Sequence, residues 1–224
     1  MSARPFARAL YALTALVAAV GTALAFGIAG FGTTIHAVGT PGLFDDAGQD
    51  GVGRLADMAS YFTEWSNVLV AIVFALLAVR TAGRGRLVRV LLFDALLMIL
   101  ISGLVYNAII APSVPARHGL DLLSTTLEHT VTPLLALAVW TVLGPRGWLT
   151  RSLILPTLVI PIAWVVATLI RGAIIDAYPY GFMNVVELGY PLALFNVLVI
   201  LLIGIGLCVA LVGVDRLARR WTPS

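Results

Sequence analysis

Six apolar runs, each roughly 20 residues long and set apart by short clusters of charge, constrain this chain more than any other feature. That is the length an α-helix needs to cross a hydrocarbon core about 30 Å thick. The runs cover about 8–30, 59–80, 88–111, 121–143, 150–171 and 190–214. The expected fold class is therefore an all-α membrane protein, a single domain over residues 1–224 built as a six-transmembrane-helix bundle. Composition agrees: 60% of residues are hydrophobic, 11% are charged, and the mean hydropathy is +1.02. The longest connection, 31–58, is rich in Gly and Asp and reads as a flexible loop. The other connections are short, so consecutive helices should be antiparallel neighbours. No internal repeat is present, so the inverted-repeat signature of a transporter is missing.

Charge sets an expected orientation. Every basic residue is arginine, and 11 of the 14 fall on one side when loops are assigned alternately, leaving only Arg54, Arg117 and Arg171 on the other. By the positive-inside rule both termini are cytoplasmic and the loops 31–58, 112–120 and 172–189 face outward. The net charge of +3 is then a consequence of topology, not a nucleic-acid patch. The first run contains Ala23-Leu24-Ala25, which would suit signal-peptide cleavage, but its apolar character continues to Gly30, as in a retained helix. The lone Cys208 excludes an intrachain disulfide and reads as a packing residue.

Polar residues inside spans carry the functional information, because an ionisable group in lipid is expensive. His129, in "STTLEHTVTPLLALAVW", is the only histidine within a run; His36 and His118 fall in loops. A single intramembrane histidine argues against bis-histidine haem ligation and against zinc, so neither a metal nor a cofactor is expected. With Asp57 and Asp121 read as N-caps, Thr63 and His129 sit about 9 and 12 Å along their helices, at similar depth. Thr63 and Asn67 share one helix face, as do Thr125, His129 and Pro133. Asn107, Arg171 and Glu187 belong to the same outer region, with Tyr190 in the aromatic loop that follows.

This set suggests a chemistry. A neutral imidazole can take the proton of a nearby hydroxyl, making a nucleophile for an ester carbonyl. Asn67, Asn107 or a backbone N–H would donate to the developing oxyanion, and Arg171 would hold a substrate carboxylate. Glu64 and Glu128 lie about 100° around their helices from Thr63 and His129, where either would point into solvent at the mouth. Asp94 and Asp215 are within reach of loop arginines, so ion pairing is expected for both. Pro133 removes one backbone N–H and should leave the carbonyl of residue 129 without its helical partner, kinking the helix.

The segments "YFTEWSNVLV", "LEHTVTPLLALAVW" and "YPYGFMNVVELGY" resemble landmarks of the androgen-induced and androgen-dependent TFPI-regulating protein family and its bacterial six-helix relatives. That resemblance implies an integral membrane threonine hydrolase of fatty acid esters of hydroxy fatty acids, with Thr63 as nucleophile and His129 as the essential histidine. It differs in a shorter Thr63-to-His129 segment and in the residues flanking Thr63. The expected partner is a lipid drawn from the outer leaflet, in a multi-pass protein of the plasma membrane, the inner membrane in a bacterium. Acyl transfer to a lipid hydroxyl, or lipid binding and transport without catalysis, are the competing expectations.

Overall fold

The computed structural model describes residues 5–32, 41–45, 49–79 and 85–221. Nine α-helices occur among them. Helix α1 (Pro5–Phe31) is followed by a short α2 (Gly51–Met58) and by α3 (Phe62–Ala78); α4 (Arg86–Val105) runs on through a π turn (Tyr106–Ile110) and a 3₁₀ turn. Next, α5 (Gly119–Thr126) and α6 (Thr132–Leu143) are joined by a second π turn, Leu127–Val131. A 3₁₀ turn leads into α7 (Ile154–Thr157), then α8 (Val159–Ile175) and α9 (Val185–Trp221), which is broken by a kink at Gly189. Five helical segments are long and apolar enough to cross a membrane, and a sixth if α2 and α3, bent by 71°, form one broken span. The chain is thus an all-helical, multi-pass membrane protein.

Helix α4 is the centre of the bundle. Every residue from Leu92 to Ile99 is fully buried, as suits a stretch apolar on every side but for Asp94. Helix α3 packs between α1 and α4, while α5 and α6 lean on α1. Large apolar side chains such as Leu134, Val142, Leu155, Ile174 and Leu202 stay exposed, which is the surface a lipid-facing helix presents.

Several expectations change at the helix ends. The loop 31–58 is not loop throughout: its last eight residues form α2, capped by the Asp50 side chain, which accepts from the Gly53 amide at 2.8 Å. Asp57 therefore caps nothing. It lies within α2, where its carboxylate takes hydrogen bonds from Gln49 and Arg171. The cap position of α3 belongs to Tyr61 and that of α5 to His118, and Asp121 pairs instead with Arg117 one turn back. His36, Arg4, Arg80 and Arg84 lie outside the described residues.

The acids of the other half also differ from expectation. Asp215 accepts from the backbone amides of Gly147 and Leu149, both at 3.1 Å, and so fastens the loop between α6 and α7. Asp94 is fully buried, and neither carboxyl oxygen has a hydrogen-bond partner among the described residues. No described loop arginine bonds to it, because α4 carries it into the packed interior.

The α8–α9 connection is tied across the Thr63 end of the bundle. Phe44 donates to Tyr178 O at 3.2 Å, the Tyr178 amide to Gly42 O at 2.8 Å, and Asn184 Nδ2 to Pro41 O at 2.7 Å. Tyr178 lies flat against Gly172, and a Cβ there would overlap its ring. Gly172→Ala should destabilise the protein by about 1–3 kcal/mol through overpacking, read as a lower unfolding temperature in detergent.

Candidate functional site

Pro133 is the local cause of the site's shape. Its ring would collide with the carbonyl four residues earlier, that of His129. The chain takes one extra residue into this turn instead of kinking sharply: the Thr132 amide bonds back to Leu127 O, five residues away. A matching π turn on α4 runs from the Ala111 amide to Tyr106 O. The freed His129 carbonyl finds a partner across the helix pair, since Asn107 Nδ2 donates to it at 3.0 Å and to Gly103 O at 2.8 Å. Gly103 permits the approach; a Cβ there would stand 3.1 Å from the His129 carbonyl oxygen.

These turns bring His129 against Thr63. Thr63 Oγ1 and His129 Nε2 are 3.0 Å apart, although 66 residues separate them in the chain. His129 Nδ1 lies 3.0 Å from Thr125 O. A carbonyl oxygen only accepts, so Nδ1 carries the proton and Nε2 is left as the acceptor facing the threonine hydroxyl. The ring is held in plane by Tyr106, stacked on it with centroids 3.8 Å apart and 27° between planes. Ser102 Oγ donates to Thr63 Oγ1 at 3.2 Å. The hydrogen bonds thus run in one direction, from Ser102 through Thr63 and His129 to the Thr125 carbonyl.

Thr63 lies in the first turn of α3, just past the bend from α2. The bend's backbone groups are met by side chains: Trp164 Nε1 donates to Ser60 O at 3.0 Å, and the Phe62 amide donates to Tyr180 Oη at 3.1 Å. Tyr180 also neighbours the Thr63 side chain. Its ring packs among Tyr61, Trp164 and Phe182, and this loss of water pushes the phenol's pKa up, so it stays a donor at neutral pH. The amino end of α3 adds partial positive charge at the same place.

The other expected site residues do different work. Asn67 is fully buried with its amide hydrogens directed at Thr63 O (3.0 Å) and Glu128 O (3.5 Å), so it locks α3 to the His129 turn and does not reach out as an oxyanion donor. Asn107 likewise serves the backbone. Arg171 is bound to Asp57 and lies over the Phe44 ring at 4.9 Å, and Glu187 faces Asn184 at 3.5 Å. Tyr190 is half-exposed beside Tyr178. Arg171, Glu187 and Tyr190 line neither of the cavities at Thr63 and brace the α8–α9 connection instead.

Glu64 and Glu128 are not at a solvent mouth. They are 3% and 4% exposed, and their carboxyls neighbour each other between α3 and the π turn. Ser102, Tyr106 and Tyr180 were not singled out by the sequence reading. Only the repeated aromatics around Tyr180 could have signalled that residue, and a membrane-interface belt explains those equally well. Among the described residues no cluster of His, Cys, Asp and Glu could hold a metal ion.

Comparison of the chain with protein-family models, curated proteins and solved structures found no match.

Asn107→Leu tests the π-turn account directly. With the His129 carbonyl orphaned in a non-aqueous setting, stability should fall by about 1–3 kcal/mol, measured by thermal unfolding in detergent.

Proposed function

We propose that this protein is an intramembrane ester hydrolase in which Thr63 is the nucleophile and His129 the general base. The observation that carries the reading is the one-way chain from Thr63 Oγ1 through His129 to the Thr125 carbonyl, which presents an unprotonated Nε2 to the hydroxyl. In the first step Thr63 Oγ1 bonds to the ester carbonyl carbon as its proton passes to Nε2. The carbonyl oxygen gains the negative charge, and the O–H groups of Ser102 and Tyr180, beside Thr63, would donate to it. Collapse breaks the bond to the alcohol oxygen, which leaves with the proton from Nε2. Water, deprotonated by the same nitrogen, adds to the acyl carbon, and the bond to Thr63 Oγ1 breaks as Nε2 returns the proton to that oxygen, which frees the acid.

The substrate class is lipid esters, of which the resemblance described above implies fatty acid esters of hydroxy fatty acids. The arginine distribution supports cytoplasmic termini and a site toward the outer leaflet of the plasma membrane. An acyl-threonine would equally serve acyl transfer, with a lipid hydroxyl in place of water. Incubation with a fluorophosphonate probe, followed by peptide mass spectrometry, should place the label on Thr63. Absence of labelling on a folded protein that nonetheless co-purifies with lipid would favour a binding role.

A further inference from the structure

Two cavities meet at Thr63 and His129, and they differ in chemistry. The smaller, about 270 Å³, is walled by α4, α8 and α9 through side chains such as Leu97, Ile101, Val165 and Leu201, and its polar groups are those of the site itself. It occupies the space between α8 and α9, which are not tightly packed on each other. The larger, about 440 Å³, reaches from Thr63 toward the α4–α5 connection and includes Glu64, Arg117, Asp121 and Glu128 in its lining.

We propose that the two cavities divide an ester between them: the acyl chain lies in the α4–α8–α9 cavity, and a neutral polyol alcohol half, such as glycerol, lies in the larger one. This assignment rests on the hydrolase reading. The charge of the larger cavity decides against an alcohol half bearing a carboxylate. Arg117 Nη1 donates to both oxygens of Asp121, at 2.8 and 2.9 Å, so the cavity's one cation among the described residues is already paired. Glu64 and Glu128, which also line it, can add only neutral or negative charge. A substrate carboxylate would enter with no free counter-charge. A polyol needs no counter-charge, and the polar part of the lining, with Tyr106, Ser113, Asp121 and Ser124, suits hydroxyls, which both donate and accept.

The test compares two esters of one long acyl chain, a monoacylglycerol and a hydroxy-fatty-acid ester, in mixed micelles with the purified protein. The glycerol ester should have the higher kcat/KM by tenfold or more, and Asp121→Asn, which releases Arg117, should narrow that ratio severalfold. Equal or reversed preference overturns the assignment of the larger cavity. For the acyl arm, Gly204→Leu on α9 fills space beside Ile101, and Val165→Phe does so from α8. Each should lower the ratio of long-chain to short-chain turnover at least fivefold; an unchanged ratio in either folded variant overturns the acyl assignment. Failure of the hydrolase reading looks different: no ester of any kind is cleaved in a Thr63-dependent way.

Discussion

Thr63→Ala should abolish ester cleavage, with kcat falling on the order of 10⁴-fold or more while the protein stays folded. The substitution removes the only atom that forms a bond to the substrate. It leaves the helix intact, because Thr63 Oγ1 accepts from Ser102 and faces His129 but ties no backbone group, whereas Asn67 and Ser66 hold the Thr63 carbonyl independently. Alanine is also the better helix former. The double variant Thr63→Ala/His129→Ala should be no slower than Thr63→Ala, since the two groups act as a unit and their effects do not add. Kinetics with a fluorogenic acyl ester, set beside circular dichroism of each variant, decide the matter. A Thr63→Ala protein that retains wild-type turnover sinks the assignment of the nucleophile.

His129→Gln should lower kcat by about 10²–10⁴-fold, the range expected for loss of a positioned general base. Glutamine is the informative replacement, because it can still hydrogen-bond Thr63 yet cannot take its proton. The direction of the pH dependence follows from the chemistry. Protonation of Nε2 turns it from acceptor to donor, so wild-type activity should fall as pH is lowered through the imidazole's own titration and hold at higher pH. The residual rate of His129→Gln should lack that acid limb. If both proteins show the same pH profile, His129 is a structural residue that happens to touch Thr63.

Some of this was legible before any coordinates. The consequence of Pro133 for the carbonyl of residue 129 needed only the geometry of proline, whereas the count that set Thr63 beside His129 began from Asp57 and Asp121, neither of which caps its helix, so their contact rests on the tertiary structure. The partner of that carbonyl was not legible. Asn107 lies 22 positions away on another helix, and its amide looked equally suited to an oxyanion. Arg171 shows the same limit: an arginine at a helix end is free or paired according to what stands opposite it, and Asp57 is 114 residues distant. The Glu64–Glu128 pair was misread because angular position on one helix does not say whether water or another helix lies on that side. Helix α1 closes over that side, packing Gly21 against Glu128.

What the sequence determined by itself is everything that depends on length and periodicity along one helix: a membrane-spanning all-helical bundle, the rough limits of its apolar segments, and the rarity of an ionisable group such as His129 within them. Only the tertiary structure decided which of the polar residues face one another. It set Ser102 and Tyr180 beside Thr63, turned Asn67 and Asn107 inward to backbone carbonyls, bent α2 from α3, and opened two unlike cavities at one hydroxyl. The physical reason is that a hydrogen bond between helices depends on their rotation and offset, and these are settled by packing across the whole bundle, to which no single span holds the answer.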